Sequence, residues 1–275
     1  MSNFTGAIAL ITGAGSGIGA ALARALARRR AFVVCADIKG DTAQAVVDSI
    51  VREGGSGSAH ALDVTDAEAV AALVREVALQ HGKLDLMFNN AGISIAGEAR
   101  DISLEHWRAV LDVNLMGVVN GVDAGYKQMA RQGHGHIINI ASLAGLIPFP
   151  TNVPYATSKH AVVGLSLSLR AEGADLGVKV SAVCPGFIQT GIFAATPFIN
   201  VDREKAMRNI PFPPLDSDKA AERILKGITR NEALIVFPAY ARVFWRLHRL
   251  SAGLLNAFHL KGIRDMRKLR LKQEP

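Results

Sequence analysis

Ala7-Ile8-Ala9-Leu10-Ile11-Thr12-Gly13-Ala14-Gly15-Ser16-Gly17-Ile18-Gly19 is the stretch that decides the fold. Its first six residues make a short, continuous apolar run, the pattern of a strand buried on both faces. Glycines then alternate with other residues from Gly13 to Gly19, and Ala20 to Arg29 carries apolar residues at helical spacing. A glycine-rich turn between strand and helix lets backbone N–H groups and the helix N-terminus meet a phosphate closely. A glycine cluster alone reads as well as a flexible turn. Its strand–turn–helix context makes Gly13, Ser16, Gly17, Ile18 and Gly19 candidates for holding a dinucleotide.

Working outward, Phe32 to Ala36 reads as a second strand with Asp37 at its end. Asp37 lies 18 residues past Gly19 and 24 past Gly13, near the distance at which an acidic residue meets a ribose 2′-hydroxyl. A carboxylate there repels a 2′-phosphate, which predicts NAD rather than NADP, and Ser16, not a basic residue, precedes the central glycine. Lys39 nearby speaks the other way; a capping or turn role is the alternative for Asp37, and the spacing favours the ribose.

Thr42 to Glu53 reads as a helix, Gly54 to Ser58 as its exit loop, and Ala59 to Val64 as a third strand containing Asp63. Ala67 to His81 is a helix capped by Asp66. Leu84 to Phe88 is a fourth strand running into Asn89-Asn90-Ala91-Gly92. Ser103 to Met129 is one long helical pattern in which Asn114 is oddly polar; such a residue is usually exposed or bonded to the preceding turn. His136 to Ala141 is a fifth strand with Ser142 at its end, Tyr155 to Leu176 a helix, and Lys179 to Cys184 a sixth strand closed by Pro185-Gly186. Ser217 to Arg230 is a helix and Ala233 to Phe237 a seventh strand. Strands alternating with helices predict a Rossmann-type α/β domain, a seven-stranded parallel sheet covered on both faces. Ligands of such sheets bind beyond the strand C-terminal ends, where Gly13, Asp37, Asp63, Asn90, Ser142 and Gly186 all fall.

Composition sets the class. The chain has 275 residues, is 49% apolar and 20% charged, and no linker divides it. Residues 1–238 read as one dinucleotide-binding and catalytic domain, 239–275 as a basic amphipathic helical tail. Cys35 and Cys184 sit in apolar runs, as reduced core residues of a cytoplasmic protein do, and no signal peptide pattern precedes the first strand. The net charge of +7 comes entirely from the tail, where nine basic residues from Ala239 onward face Asp265 and Glu274. The body is neutral, so no nucleic-acid partner is expected. His134 and His136 lack Cys, Asp or Glu neighbours in sequence and make a poor metal pair.

Tyr155 and Lys159 lie four residues apart, on one helix face and about 5–6 Å apart at Cβ. A fixed positive charge favours phenolate and lowers a tyrosine pKa, which suits a general acid or base. An ordinary surface pair is the bland alternative.

Taken together, Thr12 to Gly19, Asn89-Asn90-Ala91-Gly92, Asn114, Ser142, Tyr155-Ala-Thr-Ser-Lys159 and Pro185-Gly186 with Thr190 resemble the short-chain dehydrogenase/reductase family, in order and spacing from about Thr5 to Phe237. The resemblance implies that Tyr155 is the acid/base at the substrate oxygen and that Ser142 bonds the same oxygen. It implies that Lys159 binds the nicotinamide ribose and, with the oxidised ring, lowers the Tyr155 pKa, and that Asn114 places a water linking Lys159 to solvent. It further puts Asp63 and Val64 at the adenine, Asn90 beside the nicotinamide ribose, and Ile188 and Thr190 at the carboxamide. The expected protein is an NAD-dependent alcohol dehydrogenase/ketone reductase, a homodimer or homotetramer; the alternatives are an NADPH-preferring carbonyl reductase and a non-catalytic nucleotide sensor.

The segments from Leu143 to Pro154 and from Phe187 to Leu215 are expected to cover the substrate. Ile147, Phe149, Phe187, Ile192, Phe193, Phe198 and Phe212 favour an apolar one: a sterol, terpenoid, aromatic or long-chain alcohol or its ketone. In the tail, Val243, Leu247, Leu250, Leu254 and Phe258 form an apolar stripe beside Arg242, Arg246 and Arg249. Such a helix can lie on an anionic membrane; packing over the substrate loop or a subunit boundary is the favoured reading.

Overall fold

The protein, seen in a computed structural model, is described over residues 4–208 and 211–271. Among these residues the strands β1 (Ile8–Thr12), β2 (Phe32–Asp37), β3 (Ser56–Ala61), β4 (Leu86–Asn89), β5 (Gly135–Ile140), β6 (Val178–Pro185) and β7 (Leu234–Phe237) form one sheet. Its order is β3-β2-β1-β4-β5-β6-β7, and every neighbouring pair is parallel. The double burial read from the first apolar run is realised within β1. Ala9 and Ile11 join the core on one face, whereas Ile8 and Leu10 join the core on the other.

The first face is covered by α1 (Gly17–Ala27), α2 (Gly40–Arg52) and, out of sequence order, the helix Ser217–Thr229. The second is covered by α3 (Ala67–His81), by α4 (Leu104–Leu111), by α5 (Gly117–Gln132) and by α6 (Val153–Gly173). The Asp66 carboxylate accepts the Ala69 N–H at 3.0 Å and so caps α3 as expected. Two short helices, α7 (Gly191–Ala195) and α8 (Arg203–Arg208), lie between β6 and the helix Ser217–Thr229, which is α9. After β7 come α10 (Ala239–Leu250) and α11 (Asn256–Lys268). Strand order reverses between β1 and β4, which opens a crevice beyond their C-terminal ends.

Three sequence expectations are corrected. The third strand spans Ser56–Ala61 and not Ala59 to Val64, so Asp63 lies beyond it. Its residues Ser-Gly-Ser-Ala-His-Ala look like a loop, but pairing with β2 overrides their poor strand preference. The long helix over Ser103 to Met129 is interrupted by a π-helical turn at Asp112–Met116. In the tail, Ala241 is buried and Tyr240, Phe244, Trp245 and Leu247 pack on the core. Val243, Leu250, Leu254 and Phe258 of the expected stripe are exposed instead. The aromatic face docks because rings bury more apolar area than the aliphatic stripe offers. Asn209, Ile210 and the tail's end from Lys272 to Pro275 lie outside the described residues. Among the described residues no helix is long and apolar enough to cross a membrane.

Candidate active site

Parallel pairing brings the C-terminal ends of β1, β2, β4, β5 and β6 to one edge, and the candidate residues gather there. On the β1 side the turn is shaped by close backbone approach. Gly13 and Gly17 have φ of +64° and +53°, conformations that L side chains rarely adopt. A Cβ on Gly13 would stand 2.8 Å from the Ala91 Cα, and one on Gly19 would collide with the Gly13 carbonyl oxygen. Ser16 is the N-cap residue of α1, its side chain uncommitted to capping, and Ile18 packs partly against the core. Asp37 stands at the turn: its carboxylate accepts the Gly15 N–H at 2.9 Å and the Lys39 N–H at 3.0 Å.

Asn90 clamps this turn. Its side-chain amide donates to the carbonyls of Thr12 and Gly13 at 2.8 and 3.1 Å, while its backbone N–H donates to the Thr12 hydroxyl at 3.0 Å. Thr12, whose hydroxyl also donates to the Phe88 carbonyl at 3.2 Å, therefore locks β1 to β4 at the crevice. On the other wall a Cβ on Gly17 would stand 3.0 Å from the Thr190 side chain, so the loop after β6 lies against the turn. Ile188 in that loop is buried. Asp63 is exposed and folds into a local turn, accepting from Thr65 N and Oγ1 at 2.9 and 2.8 Å. Val64 is buried and its carbonyl takes the Asn120 amide at 2.9 Å.

On the β5 side, Tyr155 sits in the first turn of α6, with Pro154 before it, and its hydroxyl faces the Ser142 side chain. Ser142 caps the short 3₁₀ turn Leu143–Gly145 by accepting the Ala144 N–H at 3.1 Å. The Lys159 ammonium is buried, donates to the Ile140 carbonyl at 2.8 Å, and lies 5.5 Å from the Tyr155 ring centroid. Burial lowers Lys159 to about 8.

Burial works against the lowering of Tyr155 that its spacing from Lys159 alone predicts. Loss of solvent around its hydroxyl raises the tyrosine above its ordinary value, and the facing Ser142 side chain offsets only part of that. Tyr155 keeps partial exposure, so its surroundings are dense but open at one side.

Asn114 is fully buried, contrary to the exposed mid-helix reading. It sits in the π-helical turn, a feature frequent at functional sites. Its Oδ1 accepts Ile93 N–H at 2.8 Å, its amide donates to Ile93 O at 2.9 Å and to Ser158 Oγ at 3.3 Å. A Cβ on the adjoining Gly92 would be 3.1 Å from Asn114 Oδ1 and 3.5 Å from Lys159 Nζ.

Cys184 has a role in this corner that its apolar run concealed. Its thiol lies beside Lys159 and Ser142, and burial pushes it up to about 12. It is a packing group beside the ammonium. Among the expected substrate walls, Phe149, Phe187 and Phe193 form a row with centroids 6.2 and 6.1 Å apart. Ile147 instead belongs to the core. Tyr240, which the sequence did not single out, stacks on Phe212 at 4.1 Å; nothing in a tail residue's sequence neighbourhood reports a contact with a loop so far upstream. His136 points inward to Ser181 Oγ at 2.9 Å, and burial pulls it down to about 3.

Residues 7–197 match the family profile described as short chain dehydrogenase. The chain is 43% identical over 234 residues to the "Probable oxidoreductase EphD" of Mycobacterium tuberculosis, an alignment covering 82% of this chain but only 40% of that protein's length. It is 41% identical over 196 residues to the cyclohexanol dehydrogenase of Acinetobacter sp. strain SE19, covering 70% of this chain and 78% of that one. Its fold is similar to the crystal structure of a short chain dehydrogenase/reductase from Burkholderia phymatum in complex with NAD. There the TM-score is 0.83 at 29% identity, covering 100% and 99% of the two chains.

Proposed function

Since the chain belongs to the short-chain dehydrogenase family, we propose that this oxidoreductase is NAD-dependent and interconverts an apolar secondary alcohol and its ketone. One observation carries the reading: the Tyr155 side chain, facing Ser142, and the buried Lys159 ammonium, 5.5 Å from the Tyr155 ring centroid, share one corner of the crevice that holds the glycine turn.

The residues present fit a nicotinamide dinucleotide. Gly13, Gly17 and Gly19 let the turn lie against Ala91, Asn90 and Thr190 at distances that leave no room for a side chain, and the Asp37 carboxylate bonds the Gly15 N–H within it. The turn from Gly13 to Gly19, with Ser16 and Ile18, would take the pyrophosphate, and Asp37 a ribose diol. Asp63 and Val64 would serve the adenine end, and Asn90, Lys159, Ile188 and Thr190 the nicotinamide end. When bound, the cofactor accepts or delivers the hydride. The Asp37 carboxylate disfavours a 2′-phosphate by like-charge repulsion.

The chain's own part is proton management and alignment. Tyr155, kept protonated at neutral pH by burial, donates to a ketone oxygen, while the Ser142 hydroxyl holds that oxygen in line. The Lys159 ammonium lies near enough to stabilise the phenolate left behind. Asn114 holds the Ile93 backbone beside Lys159 and shapes the route by which that corner meets solvent. Phe149, Phe187 and Phe193 give an apolar wall, consistent with sterol, terpenoid, aromatic or long-chain substrates. Exposed Leu104, Met116 and Leu167, in the α4 to α6 region, support association as a homodimer or homotetramer. The buried free thiols of Cys35 and Cys184 suit a cytoplasmic setting.

The test is turnover of a panel of cyclic, aromatic, long-chain and polyol alcohols, followed by absorbance of the reduced cofactor with NAD and NADP in parallel. The reading expects NAD-linked oxidation of the apolar alcohols. A preference for NADP, or activity on the polyols alone, contradicts it.

A further inference from the structure

The C-terminal extension grips the segment from Phe187 to Asp202 at both ends. At the near end, the Tyr240 hydroxyl accepts the Phe187 N–H at 2.6 Å. Its ring stacks on Phe212, the interplanar angle being 10°. Gly186 makes room for this contact, since a Cβ there would collide with the Tyr240 hydroxyl.

At the far end, chain pairs with chain. Val201 and Arg270 form an antiparallel bridge, with Asp202 N–H donating to Leu269 O at 2.9 Å and Leu271 N–H to Asn200 O at 3.1 Å. Arg270 then forks onto both oxygens of Asp101, at 2.6 and 2.8 Å, and Arg267 reaches Glu98 at 3.0 and 3.1 Å. Asp101 and Glu98 retain only 9% and 13% of their side-chain exposure. A bidentate guanidinium on a nearly covered carboxylate is geometrically specific and stronger than a loose surface pair.

The gripped segment has little core of its own. From Phe187 to Asp202 only Ile188, Thr196 and Val201 are buried. A stretch with few buried apolar contacts lies at the low-stability end of a fold and opens locally. Its order comes from what holds it: Tyr240 and the Leu215 bridge to Ile188 at one end, the Arg270 strand at the other, and between them the Ala96 strand-like contacts to Pro197 and Ile199.

We propose that Tyr240 and Arg270 are positioning residues of the substrate site: by fixing the two ends of the Phe187–Asp202 segment they set the affinity for the alcohol or ketone without touching the reacting atoms. The substrate half of this statement rests on the function proposed above; the holding of the segment does not.

The experiment uses the full chain with Arg270→Ala, Tyr240→Phe and the charge swap Asp101→Arg with Arg270→Asp. Hydrogen exchange, which needs no substrate, is read in peptides covering residues 192–206 and, as a control, in β1 and α1. In Arg270→Ala the segment should exchange about fivefold faster while the control peptides are unchanged. Tyr240→Phe, which loses only the hydroxyl, should show a smaller increase. The swap should restore exchange towards wild type. With a substrate from the panel, KM should rise about fivefold or more in Arg270→Ala, with kcat within about twofold and NAD affinity unchanged. Unchanged exchange in both single variants of a folded protein overturns the holding. Faster exchange with unchanged KM overturns the link to substrate. If no alcohol is turned over at all, the functional reading fails, and the exchange arm still decides whether the extension holds the segment.

Discussion

Either side of β4, the crevice is built in two different ways. On the β1 side the glycine turn is fixed by backbone atoms: carbonyls and N–H groups meet at distances that exclude even a methyl group, and Asn90 and Thr12 tie the turn to β4. On the β5 and β6 side the site is made of side chains whose properties depend on burial: Tyr155 raised, Lys159 lowered, and an aromatic loop held by an extension from the far end of the chain. The contrast suggests a division of labour. The first side selects by shape and does so identically for any substrate; the second carries the chemistry and the choice of substrate.

Of the variants that probe this contrast, the largest effect on cofactor binding breaks the first side. Gly19→Ala places a methyl group against the Gly13 carbonyl oxygen. Overpacking of this kind costs about 1–3 kcal/mol, so NAD affinity by titration calorimetry should fall about 10- to 100-fold. Unchanged affinity would show that the turn can yield and that the first side is not set by shape.

A second prediction breaks the other side through pH. Lys159 has a value of about 8 in the folded protein against an ordinary 10.5. Below pH 8 both folded and unfolded chains carry the charge, and the full burial cost is present. Between pH 8 and 10.5 the unfolded chain binds more protons, so stability rises with pH across that window. Lys159→Met removes the buried charge but strands the Ile140 carbonyl. It should be more stable than wild type at pH 7 by about 2 kcal/mol in denaturant titrations, and the advantage should shrink as pH rises past 8. A pH-independent difference would contradict the burial of a charged Lys159.

The smallest effect sharpens the first side. Asp37→Asn keeps an oxygen that can accept the Gly15 N–H but removes the repulsive charge, so the preference for NAD over NADP should narrow by about tenfold, equivalent to about 1.4 kcal/mol. If the preference stays put, the carboxylate is not what reads the ribose.

Legibility in the sequence follows the same division. The strand–turn–helix of Ile8 to Ala27 and the Asp66-capped helix Ala67–His81 were readable because local pattern and tertiary role coincide there. The β3 strand was hidden because its small polar residues gain their conformation from pairing with β2. The π-helical turn around Asn114 was hidden because no residue type in Asp112–Met116 marks an i→i+5 turn, and the stretch reads as ordinary helix. The direction of the Tyr155 shift could not be read from the Tyr155–Lys159 spacing, because it depends on how much solvent the fold removes. Tyr240 was invisible because its partners, Phe187 and Phe212, are brought to it only by the finished fold.

The central claim is that the Tyr155 hydroxyl is the proton carrier at the reacting oxygen. Tyr155→Phe deletes that one oxygen, and paired measurement of NAD affinity and of turnover on the best apolar alcohol tests the claim directly. The expected result is NAD affinity within about twofold of wild type and turnover reduced about 10²- to 10⁴-fold, the range of a lost general acid. Turnover within a few-fold of wild type, with the cofactor still bound, would contradict it.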